Sequence, residues 1–165
     1  MADSPNYLVN IGADMVTLRI EGRASYLNCA PVRKLFEKLI PAGTQHFVID
    51  FVACSNMDST FLGILAGAAL EIRKTNPKAR IELCRLSERN MELVQNLGLH
   101  RLMDVKTDEE DLQQCQQGLG LDKSEKSVDE KDVLKAHENL IRVDKANEEK
   151  FQDVVAFLKK QVEQE

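Results

Sequence analysis

Apolar and polar positions change period several times along this chain, and each change marks an element. Residues 15–21, MVTLRIE, alternate Val16, Leu18 and Ile20 with Thr17, Arg19 and Glu21. A period of two predicts a half-buried strand. Residues 7–11 make its natural partner, with GAD as the turn and Gly22 closing the strand. The period then lengthens. In residues 30–40, Val32, Leu35, Phe36, Leu39 and Ile40 fall on one helical face, Pro31 suits the first turn, and Pro41 and Gly43 stop the helix.

Residues 46–54, HFVIDFVAC, are almost continuously apolar, which predicts a central strand covered on both faces. A helix over 59–74 follows, apolar first, with Arg73 and Lys74 where the helix dipole favours cations. Residues 80–86 predict a third core strand. Ser87 caps a helix over 88–97, and Gly98 ends it in a left-handed conformation. A short strand over 102–105 and an acid-led helix over 108–117 complete this part. Strands alternating with helices predict an α/β fold with a mixed, partly parallel sheet and helices packed on it. In such folds, function gathers at the carboxyl edge of the parallel strands, where NMDST, residues 56–60, falls.

Beyond Gly118 the pattern weakens. Residues 119–128 read as a polar linker between a domain over 6–118 and a helical extension over 129–163. The extension holds two amphipathic helices: Val133, Leu134, His137, Leu140 and Ile141 share one face, and Phe151, Val154, Val155, Leu158 and Val162 share another. SVDE at 127–130 has the form of a capping box. Helices this short are marginal alone in water, so these faces must dock on the domain, on each other across a homodimer, or on a partner.

Composition narrows the function. A 43% hydrophobic content in 165 residues supports a core, and a net charge of −5 disfavours nucleic acid, whose phosphates require a basic face. Basic residues occur in runs no longer than pairs such as Lys159 with Lys160, so there is no polybasic membrane patch. The N-terminus lacks the charged start and apolar stretch of a signal peptide. The apolar run at 61–70 is about half of the ~20 residues a bilayer span needs. These features point to a cytoplasmic protein without membrane or nucleic-acid partners. Cys29, Cys54, Cys84 and Cys115 form no C-x-x-C pair, and His46, His100 and His137 are dispersed, so neither a metal site nor a cofactor is expected.

Ser59 and Thr60 remain, a hydroxyl pair after Asp58 at a helix start. The plain interpretation is that Asp58 or Ser59 caps the helix. The functional one is an exposed modification or nucleophile site, because helix starts at a sheet edge are electropositive. A serine hydrolase is disfavoured: NMDSTFL lacks the G-x-S-x-G elbow, and no motif places a histidine as base. Gly63 and Gly67 suit close packing of the helix on the sheet rather than a phosphate loop.

The stretch FVIDFVACSNMDSTFLGIL, residues 47–65, resembles the signature of STAS domains (sulfate transporter and anti-sigma factor antagonist). The strand pair ending at Gly22, the helix near Ala30, and Ser87, Val94, Leu97, Gly98 and Leu99 fit the same family pattern. The resemblance covers roughly residues 7–118. It implies a STAS-like mixed sheet and a non-catalytic anti-sigma factor antagonist. Such a protein binds an anti-sigma serine kinase until its acceptor serine, here Ser59 with Thr60 as alternative, is phosphorylated; a phosphatase is a further partner. The implied partner surface comprises Asp58, Ser59, Thr60, Phe61, Arg23 and Ser25. Two positions depart from the family pattern: Phe61 replaces a glycine, and EGRAS lacks the acidic residues common after the strand glycine. The alternative is a structural STAS module, not phosphorylated, within a stress-sensing scaffold or lipid-transport complex.

Overall fold

The computed structural model describes residues 7–106, 119–121 and 127–164. The helix expected over 108–117 lies outside them. Strand β1 (Tyr7–Ile11) pairs antiparallel with β2 (Val16–Ala24), which runs parallel to β3 (His46–Met57). Strands β4 (Arg80–Cys84) and β5 (Asp104–Lys106) continue the parallel set, and β6 (Leu119–Gly120) adds antiparallel to β1. The order β5-β4-β3-β2-β1-β6 makes a mixed six-stranded sheet, with β3 and β2 central. Leu119 and Gly120, expected at the start of a linker, therefore belong to the sheet.

Both central strands run further than their apolar pattern does. β2 passes through Gly22, which has φ +80, because β3 continues to offer partners as far as the pair Ala24 and Met57. The β2–β3 register shifts twice, between Arg19 and Glu21 and between Gly22 and Arg23. Each shift accommodates one extra residue of β3, as a bulge does. These bulges extend β3 past its apolar segment and aim Val52 and Ser55 outward.

Helix α1 (Ala30–Leu39) opens on Pro31 and buries Val32, Leu35 and Phe36. Helix α2 (Ser59–Thr75) is buried along most of its length, including Phe61, Leu62, Leu65 and Ile72. Helix α3 (Glu88–Asn96) is capped by Ser87, whose hydroxyl accepts from Asn90 N–H, and Gly98 follows at φ +77.

The C-terminal segment forms α4 (Glu130–Val143) and α5 (Asn147–Glu163). Its capping box is Asp129 with Asp132, each accepting the other's backbone N–H, rather than the expected 127–130 pair. The N–H of Asp132 holds the Asp129 carboxyl below its ordinary range, whereas burial raises that of Asp132. Ser127 does not cap because the chain there is already tied to the loop between β2 and α1: Val128 N–H donates to the Tyr26 carbonyl. Helix α4 lies along α2 and buries Ala136, His137, Asn139 and Leu140. A Cβ on Gly63 would stand 2.2 Å from the Ala136 carbonyl oxygen, and one on Gly67 would stand 2.4 Å from Asn139 Nδ2. The two glycines thus admit a helix, not the sheet surface. Helix α5 packs back on α4 through Val155 and Leu158, leaving Val154, expected on its buried face, 41% exposed.

Candidate functional site

The site forms where β3 ends and α2 begins. Asp58 has extended backbone (φ −106, ψ 173), and its Oδ1 accepts from Phe61 N–H at 2.9 Å, satisfying one of the free donors at a helix start. Oδ2 accepts from Tyr26 N–H at 2.9 Å. One carboxylate therefore caps α2 and pins the loop between β2 and α1. Asn28 completes the loop: its side-chain oxygen accepts from Tyr7 hydroxyl (2.7 Å) and Ser25 N–H (3.0 Å), and its amide donates to the Arg23 carbonyl.

Ser59, the first residue of α2, is half-buried. Its hydroxyl lies 2.8 Å from Nε2 of His137 on α4. Nδ1 of that imidazole is 2.7 Å from the Val133 carbonyl, which can only accept. The proton therefore sits on Nδ1, and in the neutral ring Nε2 accepts from the Ser59 hydroxyl. The ring is 4% exposed and meets Phe151 of α5 edge-on at 5.0 Å.

The sequence motifs placed no histidine beside Ser59, yet the fold supplies one from 78 residues away. Its signal was a histidine within the apolar stripe of α4, read there as a face residue. The pair resembles a nucleophile with its base, but a backbone carbonyl stands where a triad carries a carboxylate. The hydroxyl also faces the buried His137 ring. A groove of about 470 Å³ between α1, α2 and α4, lined by Arg33, Ile40, Gly67, Glu71, Asn139 and Arg142 among others, includes neither Ser59 nor His137.

The other expected site residues divide in two. Arg23 is exposed and Asp58 half-buried beside Ser59. Thr60 (4% exposed), Phe61 (0%) and Ser25 (2%) are inside the protein. Phe61 stacks on Tyr7 with ring centroids 6.4 Å apart, so its bulk fills the core and does not crowd the Ser59 hydroxyl. The surface of the edge is instead completed by Tyr26 and Leu27, exposed at 47% and 54%, which the sequence did not single out.

Beneath the edge lie groups held in their neutral forms. Burial, with the nearby Asp58 charge, pushes the Cys29 thiol up to about 12, and burial pushes Cys54 up to about 11. Burial also raises the Tyr7 phenol. Further along β3, fully buried Asp50 is paired with Arg85, whose Nε donates to Oδ1 at 3.0 Å from a left-handed backbone (φ +58). Among the described residues, no cluster of three or more potential metal ligands occurs, and no helix is long and apolar enough to cross a membrane.

Comparison with known proteins places this geometry in context. The family model for the STAS domain matches residues 7–112. A Thermotoga maritima protein described as an anti-sigma factor antagonist superposes with a TM-score of 0.56 at 17% identity, covering 67% of this chain and 94% of that one. An anti-sigma factor antagonist from Mycobacterium paratuberculosis gives 0.55 at 18%, covering 70% and 97%. The Bacillus cell fate determinant SpoIIAA, in its phosphorylated form, gives 0.53 at 22%, covering 65% and 96%. A search of curated proteins finds no match. With the family model covering well over half of the sequence, the chain belongs to the STAS domain family.

Proposed function

We propose that this protein is a non-catalytic, cytoplasmic partner switch of the anti-sigma factor antagonist type. In this reading, residues 6–118 together with β6 are the switch domain, the rest of 119–128 is a linker and 129–163 an extension. The partner is an anti-sigma serine kinase, which binds the edge made by Arg23, Tyr26, Leu27, Asp58 and Ser59. Ser59 is the phosphoacceptor, and a phosphatase reverses the modification. The observation that carries the reading is the position of Ser59: a half-buried hydroxyl on the first residue of α2, beside Asp58, at the carboxyl edge of the parallel strands. Thr60 is the weaker acceptor because it is buried.

The physical basis is local charge. A phosphate on Ser59 adds about −1.5 to −2 charge next to Asp58 within the contact surface. Repulsion and the cost of desolvating the phosphate then oppose the kinase, and a change of about 2.7 kcal/mol weakens binding roughly a hundredfold.

A second reading, a structural STAS module in a larger assembly, is favoured by one observation: the Ser59 hydroxyl already has a partner in His137. Peptide mass spectrometry of the protein from its native cells separates the two. Phosphate on Ser59 under growth or stress is expected. Its reproducible absence, with the peptide fully covered, overturns the switch and leaves the structural module.

A further inference from the structure

The part of the chain outside the family match covers the residue on which the switch turns. Four of its residues tie it to the domain. Before α4, Val128 N–H donates to the Tyr26 carbonyl at 3.1 Å. Next, His137 engages the Ser59 hydroxyl at 2.8 Å. Two residues on, Asn139 donates its amide to the Gly63 carbonyl at 3.3 Å. At the start of α5, buried Asn147 donates to the carbonyls of Leu97 (3.0 Å) and Leu140 (2.7 Å). Between these ties, Ala136 and Leu140 are 1% and 0% exposed, and Gly63 and Gly67 let α4 come within backbone contact of α2. Because α4 spends this face inside its own molecule, a homodimer through the same face would require the helix to leave.

We infer that α4 and α5 form an intramolecular lid on Ser59, and that transfer of a phosphate to its hydroxyl requires the lid to lift. This deepens the reading above and rests on Ser59 being the acceptor. In phosphoryl transfer from a nucleoside triphosphate, the bond between Ser59 Oγ and phosphorus forms as the bond to the leaving diphosphate breaks. The hydroxyl proton passes to a base of the kinase. The incoming phosphorus needs an open approach to Oγ, and one side of that oxygen is occupied by the buried His137 ring. Once transferred, the phosphate has no room in a gap now spanned by one hydrogen bond. Its charge also sits beside Asp58. The ring and the helix carrying it are displaced, so phosphorylation holds open the lid that unmodified serine helps to close. The closed chain leaves Tyr26 and Leu27 exposed but holds Ser59 against His137, so lid opening precedes the transfer.

Two experiments on the full chain test this without any kinase. In the first, phosphoserine is installed at position 59 during synthesis, and amide hydrogen exchange is followed by mass spectrometry. Peptides from Glu130–Val143 are expected to exchange at least tenfold faster than in the unmodified chain, with His46–Met57 unchanged. Equal protection of α4 in the two forms overturns the lid, as does faster exchange spread through the strands. In the second, Ser59→Cys is alkylated with iodoacetamide in the presence and absence of Gly63→Ala, and labelling at position 59 is read by peptide mapping. The added methyl would meet the Ala136 carbonyl at 2.2 Å and wedge α4 away, while alanine is the better helix former for α2 itself. Labelling at least tenfold faster with the wedge is expected; equal rates overturn the lid. The native-cell search for phosphate tests the acceptor reading separately, so either idea can fail alone.

Discussion

Asp58 accepts two backbone N–H groups, one from its own helix and one from the loop across the edge, so its loss unties both. Asp58→Ala is expected to cost about 1–2 kcal/mol, the range for a lost N-cap, and somewhat more for the orphaned Tyr26 amide. Asp58→Asn, with a single acceptor oxygen, falls between the two. Urea unfolding of the three proteins measures the order, and an Asp58→Ala midpoint equal to wild type would show that water replaces the cap. The sequence left the cap open between Asp58 and Ser59, and the bond from Phe61 N–H selects Asp58. Nor could the sequence divide the neighbouring side chains into inward and outward ones. Thr60 and Phe61 follow Ser59 directly, yet helix rotation buries both and leaves Ser59 at the boundary.

The turn after α3 depends on a similar local constraint with a longer reach. Gly98 has φ +77, and a Cβ there would lie 2.7 Å from Asp144, the residue that ends α4. Gly98→Ala is expected to destabilise the protein by about 1–2 kcal/mol from the left-handed backbone alone. A differential scanning melt checks this, and an unchanged midpoint would mean that the turn relaxes. The alternation of strands and helices, their caps and this glycine were legible because each depends on neighbours a few residues away. The C-terminal helices were legible as helices but not as a lid. Ser127 with Glu130 and Asp129 with Asp132 both satisfy a capping pattern, and only the tie from Val128 to Tyr26 selects the second. Likewise, the two glycines of α2 announced a close approach, expected against the sheet, and the element they admit is α4.

The charges buried or withheld beneath the edge give the folded chain a common response to alkali. Cys29, Cys54 and Tyr7 are all harder to ionise folded than unfolded, where thiols titrate near 9.0 and phenols near 10.0. A raised pKa contributes stability that is fully present below the unfolded value and is lost as pH climbs toward the folded one. The melting temperature should therefore be unaffected by these groups below about pH 8 and fall from about pH 9 to pH 12. Cys29→Ala should make the early part of that fall shallower. A curve identical to wild type would show that these thiols ionise alike in both states.

The distance in sequence between Ser59 and His137 also has a consequence in time. A ribosome adds about 5–20 residues per second, so the 78 residues separating serine from histidine take roughly 4–16 s to make. For that interval each newborn molecule carries the proposed acceptor hydroxyl without its cover. A kinase waiting near the ribosome would meet a substrate that the finished protein no longer offers, and the age of a molecule would become part of its regulation.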